Sequence, residues 1–483
     1  MSSPSLHQLA AEAMRARGLL PDFSPAALQE AAAADDNAAA AQRGDIRDLR
    51  GLTWFSIDND DTRDLDQLSV ARWLADGTAK LLVAIADVDA MVRPGGAVDG
   101  HAGVNTTSVY TAAGTFPMLP EVLSTDLTSL HQGQERAAVV VEMVVQVDGS
   151  VGAAELCRAL VVNHAKLTYD DVSAWLEGRA PLPGPQDVPG LEQQLRVHDD
   201  VATRMRRCRQ QRGALEIDTV SARPVFRDGA LVDLRPDERL RAKDLIADLM
   251  IAANTATARF LAGKGFPSLR RFLESPRRWD RIETLAATFG TVLPTGPDAV
   301  ALQRFMSARR DADPAGFAEL SLKVVKMLGP GAYVAAKPDG QDVGHFGLAA
   351  SNYAHSTAPN RRYPDLVTQR LVKAAIAGQP APYDFASLQA IARHCTGQEA
   401  QANAVERQVL KAAATFLLQG RLGDTFEAIV TGAAPKGTFV RIAQPLLEGR
   451  LVRGFEAADV GDALRVRLVA LDPQQGHIDF ERA

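Results

Sequence analysis

Short apolar runs near the start of the main body of the chain predict strands. The segments TWFSID, QLSVARWL and KLLVAIADV follow one another between Thr53 and Val88. Asp76-Gly77 separates the last two segments and is typical of the tight turn of a β-hairpin. The region therefore begins as a sheet that contains an antiparallel pair.

Apolar residues recur at helical spacing through the middle of the chain. The pattern covers residues 191–211, 240–261, 280–289 and 366–376. Strands followed by helices are typical of an α+β domain, which we predict over residues 47–418.

The first residues also follow the helical spacing, in SLHQLAAEAMRARGLL and PAALQEAAAA. Ser24 stands where an N-cap belongs, and Pro25 occupies the first helical position. We predict a short helical region over residues 1–46, with residues 31–41 as a linker. It is either a helix-turn-helix-like unit or a plain helical arm.

The end of the chain returns to short alternating runs separated by Gly, Pro and Asp turns. Residues 421–483 contain five such runs, which predict five short strands. Five strands in about 60 residues suit a small closed barrel of the OB type.

The composition is that of a soluble globular protein, with 46% hydrophobic and 23% charged residues in a chain of 483. We find no signal sequence and no run of the roughly 20 apolar residues that a membrane-spanning helix needs. Cys157, Cys208 and Cys395 lie far apart and predict reduced thiols. We therefore expect a cytoplasmic protein without a membrane partner. The net charge of -6 does not exclude nucleic-acid binding, which needs only local basic walls.

Acidic residues are concentrated in the loop between the first two predicted strands. Asp58 ends one strand, and Asp64 and Asp66 precede the next. Carboxylates that converge repel one another unless a cation neutralises them, and such oxygen ligands suit Mg²⁺ or Mn²⁺. An EF-hand is excluded, because Arg63 stands where Gly is needed and Ser69 where Glu is needed. A solvated Asp/Asn turn remains the alternative.

A second polar motif lies some three hundred residues downstream. Arg361 and Arg362 stand in the Pro-punctuated segment YAHSTAPNRRYPD, just before a predicted helix. Arginine makes bidentate contacts with phosphate oxygens, so this segment suits a phosphate clamp. An exposed helix start is the alternative. With the acidic loop, the pair supplies both halves of a phosphoryl-transfer site.

These motifs together resemble the ribonuclease II family, 3′→5′ exoribonucleases with an RNB catalytic domain. The matching segments are SIDNDDTRDLDQLSV, VAIADVDAMVRPG, SVYTAAGTFPMLPEVLSTDLTSL, HFGLAASNYAHSTAPNRRYPDL and AVERQVLKAA. The final residues resemble the family's RNA-binding S1 domain. The resemblance implies an α+β RNB domain followed by an S1 barrel of the OB-fold. It also implies processive, hydrolytic release of nucleoside 5′-monophosphates from RNA.

The family's metal site uses aspartates at positions that here carry Asp58, Asp64, Asp66 and Gln67. The first three match, whereas Gln67 is a neutral carboxamide. Either its oxygen serves as a weaker ligand, or Asp60 or Asp61 partly substitutes for it, or metal affinity and rate are reduced. The resemblance implies Mg²⁺, with Mn²⁺ as a substitute, and makes Asp66 and Arg361 the catalytic pair. Because of Gln67, an RNA-binding protein with weak or no catalysis is the alternative function.

Substrate contacts follow from the same resemblance. Tyr110 matches an aromatic that stacks on the 3′-terminal base, although a core tyrosine would fit the sequence as well. Tyr169 and Asp248 correspond to positions near the ribose hydroxyls, and Glu406 to a carboxylate near the terminal nucleotide. The implied partner is the single-stranded 3′ end of RNA, including structured RNA with a 3′ overhang, bound by a monomer.

The terminal barrel offers a second candidate surface for single strands. It would combine three aromatic side chains with two basic ones: Phe426, Phe439, His477, Lys436 and Arg441. Aromatic rings stack on any base, and basic groups track the backbone. Phe439 could instead belong to the barrel core.

Overall fold

The architecture was obtained as a computed structural model of the chain. It describes residues 5–34, 46–185, 188–218, 222–227, 230–237, 239–276, 278–340, 344–434, 437–456, 458, 461–473 and 476–483. Residues 35–41, which belong to the expected linker, lie outside this part of the chain, as does Lys436 of the expected barrel surface.

Two short helices open the described chain, α1 (Leu6–Arg15) and α2 (Pro25–Ala32). Ser5 caps α1 in a capping box with Gln8, and the Ser24 side chain caps α2, with Pro25 in its first turn. Residues 5–34, which we call the N-terminal arm, pack onto the main body through Ala10, Met14 and Leu19.

Four strands follow the arm: β1 (Arg47–Asp48), β2 (Trp54–Asp58), β3 (Gln67–Trp73) and β4 (Ala79–Ala86). The three predicted strands are therefore present, and β3 and β4 pair antiparallel from Gln67–Ile85 to Trp73–Ala79, as the hairpin turn predicts. Helix α3 (Ala97–Asn105) and the small hairpin of β5 (Val109–Thr111) and β6 (Gly114–Phe116) come next.

Two long strands complete the central sheet, β7 (Glu135–Val145) and β8 (Val151–Thr168). The order is β1-β8-β2-β3-β4-β7, and β7 also pairs with β8. Strand β8 is long enough to pair antiparallel with β7 along most of its length and parallel with β2 at its end. The sheet therefore curls back on itself, and the pairing of Asp58 with Thr168 places the end of β2 beside the end of β8.

The middle of the chain is mainly helical. Its elements in order are α4 (Tyr169–Leu176), α5 (Leu191–Gln211), β9 (Ala222–Arg227), β10 (Ala230–Pro236), α6 (Arg241–Gly263), β11 (Ser268–Phe272), α7 (Trp279–Thr288), α8 (Ala299–Ala312), α9 (Phe317–Leu328), β12 (Ala332–Ala336), α10 (Tyr363–Ile376) and α11 (Phe385–Leu418). The four predicted helices correspond to α5, α6, α7 and α10.

Helix α6 packs against the sheet in the larger hydrophobic core, where Leu245, Leu249 and Ala253 meet Phe55 and Val83. It is also the one described helix that is long and apolar enough, by length and composition alone, to cross a membrane. Asp244 and Asp248 interrupt it, so it does not contain an uninterrupted run of about 20 apolar residues. Its most apolar window is 67% buried inside the protein.

The chain ends in a closed barrel of five strands, as expected. They are β13 (Thr425–Ala434), β14 (Gly437–Ala443), β15 (Leu446–Arg453), β16 (Ala463–Asp472) and β17 (His477–Arg482), in the order β13-β14-β15-β17-β16. Apolar side chains alternate inward, so that Val440, Val466 and Phe480 form its core together with Leu418 of helix α11.

Candidate active site

The acidic loop between β2 and β3 is held by its backbone. The Ser129 hydroxyl donates to the carbonyl of Arg63 and accepts from the amide of Leu65, at 2.8 and 3.0 Å. The carbonyl of Asp66 accepts from the amide of Ala86 at 3.0 Å, which extends the β3–β4 ladder. Asp64 and Asp66 are therefore carried by a fixed segment.

Lys166 on β8 clamps the outer part of the same loop. Its Nζ donates to the carbonyls of Thr62, at 2.6 Å, and Asp60, at 3.3 Å. Asp58 Oδ1 accepts from the amide of Asn59 and the hydroxyl of Thr62, both at 2.8 Å. These contacts hold the part of the loop between Asp58 and Thr62 in place.

The second motif reaches the acidic loop through Arg361. Its Nε lies 3.2 Å from Asp66 Oδ2 and donates a hydrogen bond to it across 295 positions of sequence. The Arg361 carbonyl accepts from the amide of Ser108 at 3.0 Å and the hydroxyl of Thr107 at 3.2 Å. The two motifs thus meet in one site, and the segment before β5 holds the arginine backbone.

Burial and charge act in opposite directions on the carboxylates of this site. Asp66 is 6% exposed, and burial raises its pKa to about 7, while Arg361 opposes the rise and Asp64 adds to it. Burial also raises the pKa of Asp64, and Asp58 contributes in the same direction. Asp64 therefore interacts electrostatically with both Asp58 and Asp66, as converging groups of like charge must.

The residues present fit a divalent cation by their chemistry. Asp66 Oδ1 is buried and has no hydrogen-bond partner, so one hard oxygen of the site is available to a ligand. Asp58 and Asp64 supply further carboxylates, whose mutual repulsion a cation would relieve. Within the described ranges, however, no group of three or more His, Cys, Asp or Glu side chains is arranged to hold a metal ion. The metal site therefore stays a prediction.

Gln67 occupies the first position of β3, opposite Ile85. Because side chains alternate along a strand, Gln67 and Ser69 lie on the same face of the sheet. Leu68 and Val70 lie on the other face and belong to the core there. The side chain of Gln67 is half-buried. Its role as a ligand is not tested by this arrangement.

Tyr110 lies at the edge of the same site, on the β5–β6 hairpin. With 45% of its surface exposed, it is not the core tyrosine that the sequence also allowed. Burial of its hydroxyl raises its pKa, Arg361 opposes the rise, and Asp64 and Asp66 add to it. Its amide donates to Glu406 Oε1 of helix α11 at 3.0 Å. Glu406 thus holds the backbone that presents the tyrosine.

Tyr169 begins helix α4, immediately after β8. Burial raises the pKa of its hydroxyl, and the charge of Asp58 adds to the rise. It lines a cavity of about 400 Å³ with Asn59, Arg223 and Lys243. Tyr169 is therefore a neighbour of the acidic loop, and its contact with the ribose hydroxyls stays a prediction.

Asp248 and Arg362 are both held by partners within the protein. Asp248, 3% exposed, accepts from Arg206 Nε at 2.8 Å and forms a second ion pair with Arg209. Arg362 Nη2 lies 2.7 Å from Oδ1 of the fully buried Asp365. Ribose contact by Asp248 and RNA contact by Arg362 stay predictions, because each group already has a structural partner.

The expected barrel surface is only partly formed. Phe426 is 8% exposed and packs edge-on against Phe480, so it belongs to the core because its side chain points into the barrel. Phe439, Arg441 and His477 instead line a cavity of about 540 Å³. Helix α11 forms the opposite wall of this cavity, so the surface is shared with the main body.

A buried ion-pair network, which the sequence analysis did not identify, braces helix α10 behind Arg361. Arg370, with a side chain 3% exposed, pairs with Asp89 at 2.9 Å and Asp99 at 2.8 Å. Lys373 pairs with Asp87 and Asp89, both at 2.8 Å. The sequence signal was present, since these aspartates lie in and after the segment VAIADVDA, but their partners are far away in sequence.

Two family models match the chain. The RNB domain matches residues 46–378, and the C-terminal S1 domain of RNase II-type exonucleases matches residues 424–483. These matches cover the central sheet with its helices and the terminal barrel.

Curated relatives match most of the chain. Ribonuclease R of Aquifex aeolicus is 30% identical over 461 residues, which cover 90% of this chain and 64% of the relative. Exoribonuclease 2 of Klebsiella pneumoniae is 33% identical over 353 residues, which cover 71% of this chain and 53% of the relative. The chain therefore spans between about half and two thirds of the length of these relatives.

Solved structures share the fold. Mycoplasma genitalium RNase R in complex with ribose methylated single-stranded RNA has a TM-score of 0.87 at 21% identity, covering 98% of this chain and 77% of the other. Yeast Ssd1, described as a pseudonuclease, has a TM-score of 0.67 at 18% identity, covering 88% of this chain and 53% of the other. The same fold is thus found in a nuclease and in a pseudonuclease.

Proposed function

Because the chain belongs to the RNB-domain family, we propose that it is a 3′→5′ exoribonuclease that degrades RNA processively to nucleoside 5′-monophosphates. The observation that carries the proposal is the contact of Arg361 with Asp66, which joins a guanidinium to the acidic loop. The names of the curated relatives support the same activity. In this proposal the enzyme acts as a cytoplasmic monomer on single-stranded 3′ ends, including 3′ overhangs of structured RNA.

In this proposal each side chain of the site has its own role in binding or hydrolysis. Arg361 donates a hydrogen bond from its Nε to Asp66, so its remaining N–H groups can donate to the scissile phosphate as charge develops there. Asp66 Oδ1 has no partner and can accept a hydrogen bond from the attacking water. Tyr110 can stack on the terminal base, with Glu406 holding its backbone.

Asp58, Asp64 and Asp66 are the residues that would hold Mg²⁺ or Mn²⁺, with the Gln67 amide oxygen as a weaker fourth ligand. A divalent cation supplies positive charge for the hydrolytic phosphoryl transfer when it is bound. Lys166 and Ser129 fix the loop on which these carboxylates stand, so the site needs little backbone rearrangement.

The proposal is tested with 5′-labelled single-stranded RNA, incubated with and without Mg²⁺. The wild-type protein is compared with Asp66→Asn and with Asp148→Asn, a matched control in an exposed turn. We expect a metal-dependent loss of full-length RNA and accumulation of a short 5′-labelled end product for the wild type and the control, and intact RNA for Asp66→Asn. Internal fragments would instead identify an endonuclease and refute the proposal.

A catalytically silent RNA-binding protein is the second candidate. Gln67 favours it because one of the family's aspartates is replaced, and the pseudonuclease yeast Ssd1 has the same fold. In the same assay this candidate predicts intact RNA together with saturable binding.

A further inference from the structure

A separate cavity of about 270 Å³ lies behind the sheet. It is bounded by the β7–β8 turn, by helices α5 and α6, and by residues 349–351. None of the acidic-loop residues lines it. It is therefore distinct from the site around Asp66.

Three arginines line this cavity, Arg209 and Arg212 from the end of α5 and Arg259 from α6. The described lining contains no Asp or Glu. Outside the lining, Asp248 forms an ion pair with Arg209. Hydrogen bonds from Ser150 lower the pKa of Asp148, and the charge of Arg212 makes a smaller contribution. The cavity wall is therefore positive on the side of Arg212 and Arg259, whose side chains are exposed, while Asp248 offsets the charge of Arg209.

The arginines retain free donor capacity. Arg209 holds Asp248 through a terminal nitrogen, but its Nε is buried without a hydrogen-bond partner. Arg259 makes a long contact of 3.4 Å from Nη1 to the carbonyl of Val151. Neither Arg212 nor Arg259 forms an ion pair with a carboxylate in the described part of the chain. The Arg209 Nε is a buried donor without an acceptor, which is costly, so an anion in the cavity that accepts from this nitrogen would stabilise the protein.

The remaining lining suits an organic body attached to that anion. Met205, Ile251 and Ala252 supply apolar surface, and Ser351 and Thr255 add hydroxyl groups. Ligand cavities usually enclose about 300–1,000 Å³, so this one suits a ligand no larger than a mononucleotide.

We propose that this cavity binds a phosphate monoester dianion, carried either by inorganic phosphate or by a nucleoside 5′-monophosphate. Planar guanidinium groups match phosphate oxygens in bidentate geometry, and Arg212 and Arg259, which pair with no carboxylate in the described part of the chain, can neutralise the two charges. The nucleotide as a source rests on the proposed function, because mononucleotides would be its products; the site itself does not.

The test is isothermal titration calorimetry of the full chain in metal-free buffer with adenosine 5′-monophosphate, inorganic phosphate and adenosine. We expect saturable binding of the nucleotide, binding of phosphate at the same site, and no binding of adenosine. Arg212→Gln and Arg259→Gln, on two different helices, should each weaken the nucleotide about tenfold or more, since a hydrogen bond to a charged group is lost. Arg207→Gln is the matched control, because Arg207 is exposed on α5 and does not line the cavity.

Any of the following results would overturn the proposal. Adenosine could bind as tightly as the nucleotide, both arginine variants could bind like the wild type, or no saturable binding could be found. Because no turnover is needed, failure here leaves the nuclease activity untouched. Binding by Asp66→Asn should equal that of the wild type, and its loss would place the ligand in the catalytic centre instead. Circular dichroism melting of each variant verifies the fold.

Discussion

Asp66 is the residue at which burial and charge oppose each other most directly. Burial disfavours its ionised form, and a single guanidinium contacts one of its two oxygens. The other oxygen is left without a donor. Such an unsatisfied group is costly in a structural role, so its persistence beside Arg361 indicates a functional one.

Arg361→Lys should lower kcat about 10²–10³-fold, because an ammonium cannot hold Asp66 and donate to phosphate in the planar geometry of a guanidinium. Single-turnover kinetics on single-stranded RNA measure this loss. Arg304→Lys, an exposed substitution on α8, is the control and should leave kcat unchanged. Equal rates for wild type and Arg361→Lys would contradict the assigned role.

Gln67→Asp should lower the Mg²⁺ concentration at which activity is half-maximal, because a charged oxygen replaces a neutral one. The measurement is the rate of RNA degradation across a metal titration. Gln67→Asn keeps a carboxamide and serves as the control, with no gain expected. An unchanged or higher metal requirement in Gln67→Asp would show that this position is not a ligand.

At the scale of elements, helix α10 is fixed by charges in the interior. Arg361 and Arg362 immediately precede it, and two turns into the helix Arg370 joins Asp89 and Asp99. Buried ion pairs of this kind specify where an element docks more than they stabilise it, because desolvation offsets much of their attraction. The network therefore sets the position from which Arg361 reaches Asp66.

Arg370→Met should lower the free energy of unfolding by about 3–5 kcal/mol, because it leaves buried carboxylates without a partner. Urea unfolding followed by circular dichroism measures the change. Arg393→Met, exposed on α11, should unfold like the wild type. If Arg393→Met lost free energy of unfolding and Arg370→Met did not, the role of the network would be contradicted.

The N-terminal arm is joined to α3 through His101. Its ring lies 4.2 Å from that of Phe23, and Asn105 connects His101 to both backbone groups of Leu20. Burial lowers the pKa of His101 to about 4. The contact between the arm and α3 therefore includes a neutral histidine, which would become protonated in acid.

Acid should thus destabilise this junction. Between pH ~6.5 and ~4 the unfolded chain binds a proton that the folded His101 does not, so stability falls as pH falls through this window. His101→Gln should lose less in melting temperature than the wild type between pH ~7.5 and ~5. His394→Gln, at an exposed position, should keep the wild-type dependence. Identical pH dependence in wild type and His101→Gln would refute the argument.

At the scale of the molecule, the barrel and the main body share helix α11. Glu406 of this helix holds Tyr110, while Arg407, Leu410 and Lys411 face the barrel cavity. One rigid helix thus links the surface that contains Phe439 to the candidate active site. RNA that occupies both would be positioned by the whole molecule.

Phe439→Ala should raise KM for long RNA roughly tenfold with little effect on kcat, since base stacking contributes about 1–3 kcal/mol per base. Steady-state kinetics on long and very short oligonucleotides separate the two constants, and the short ones should be unaffected. Phe455→Ala, exposed elsewhere in the barrel, is the control. A lower kcat with unchanged KM would place Phe439 outside the RNA path.

Local patterns were sufficient for many elements. Helix α5 spans the predicted residues, the caps at Ser24 and Pro25 are present, and the five-stranded barrel forms. The local patterns were wrong where the same spacing of residues is compatible both with a surface position and with a core position. Phe426 alternates like a surface residue yet points into the barrel.

By itself, the order of apolar, polar and turn residues determined many of the elements and the α+β core with its terminal barrel, and it supplied the residues that we predict for phosphoryl-transfer chemistry. These depend on neighbours along the chain, which the sequence displays. Only the tertiary structure decided that Arg361 meets Asp66, that Asp248 is engaged by Arg206 and Arg209, and that α11 connects the barrel to Tyr110. Such contacts join distant segments, and burial then sets the charge state of each group, so no local pattern contains them.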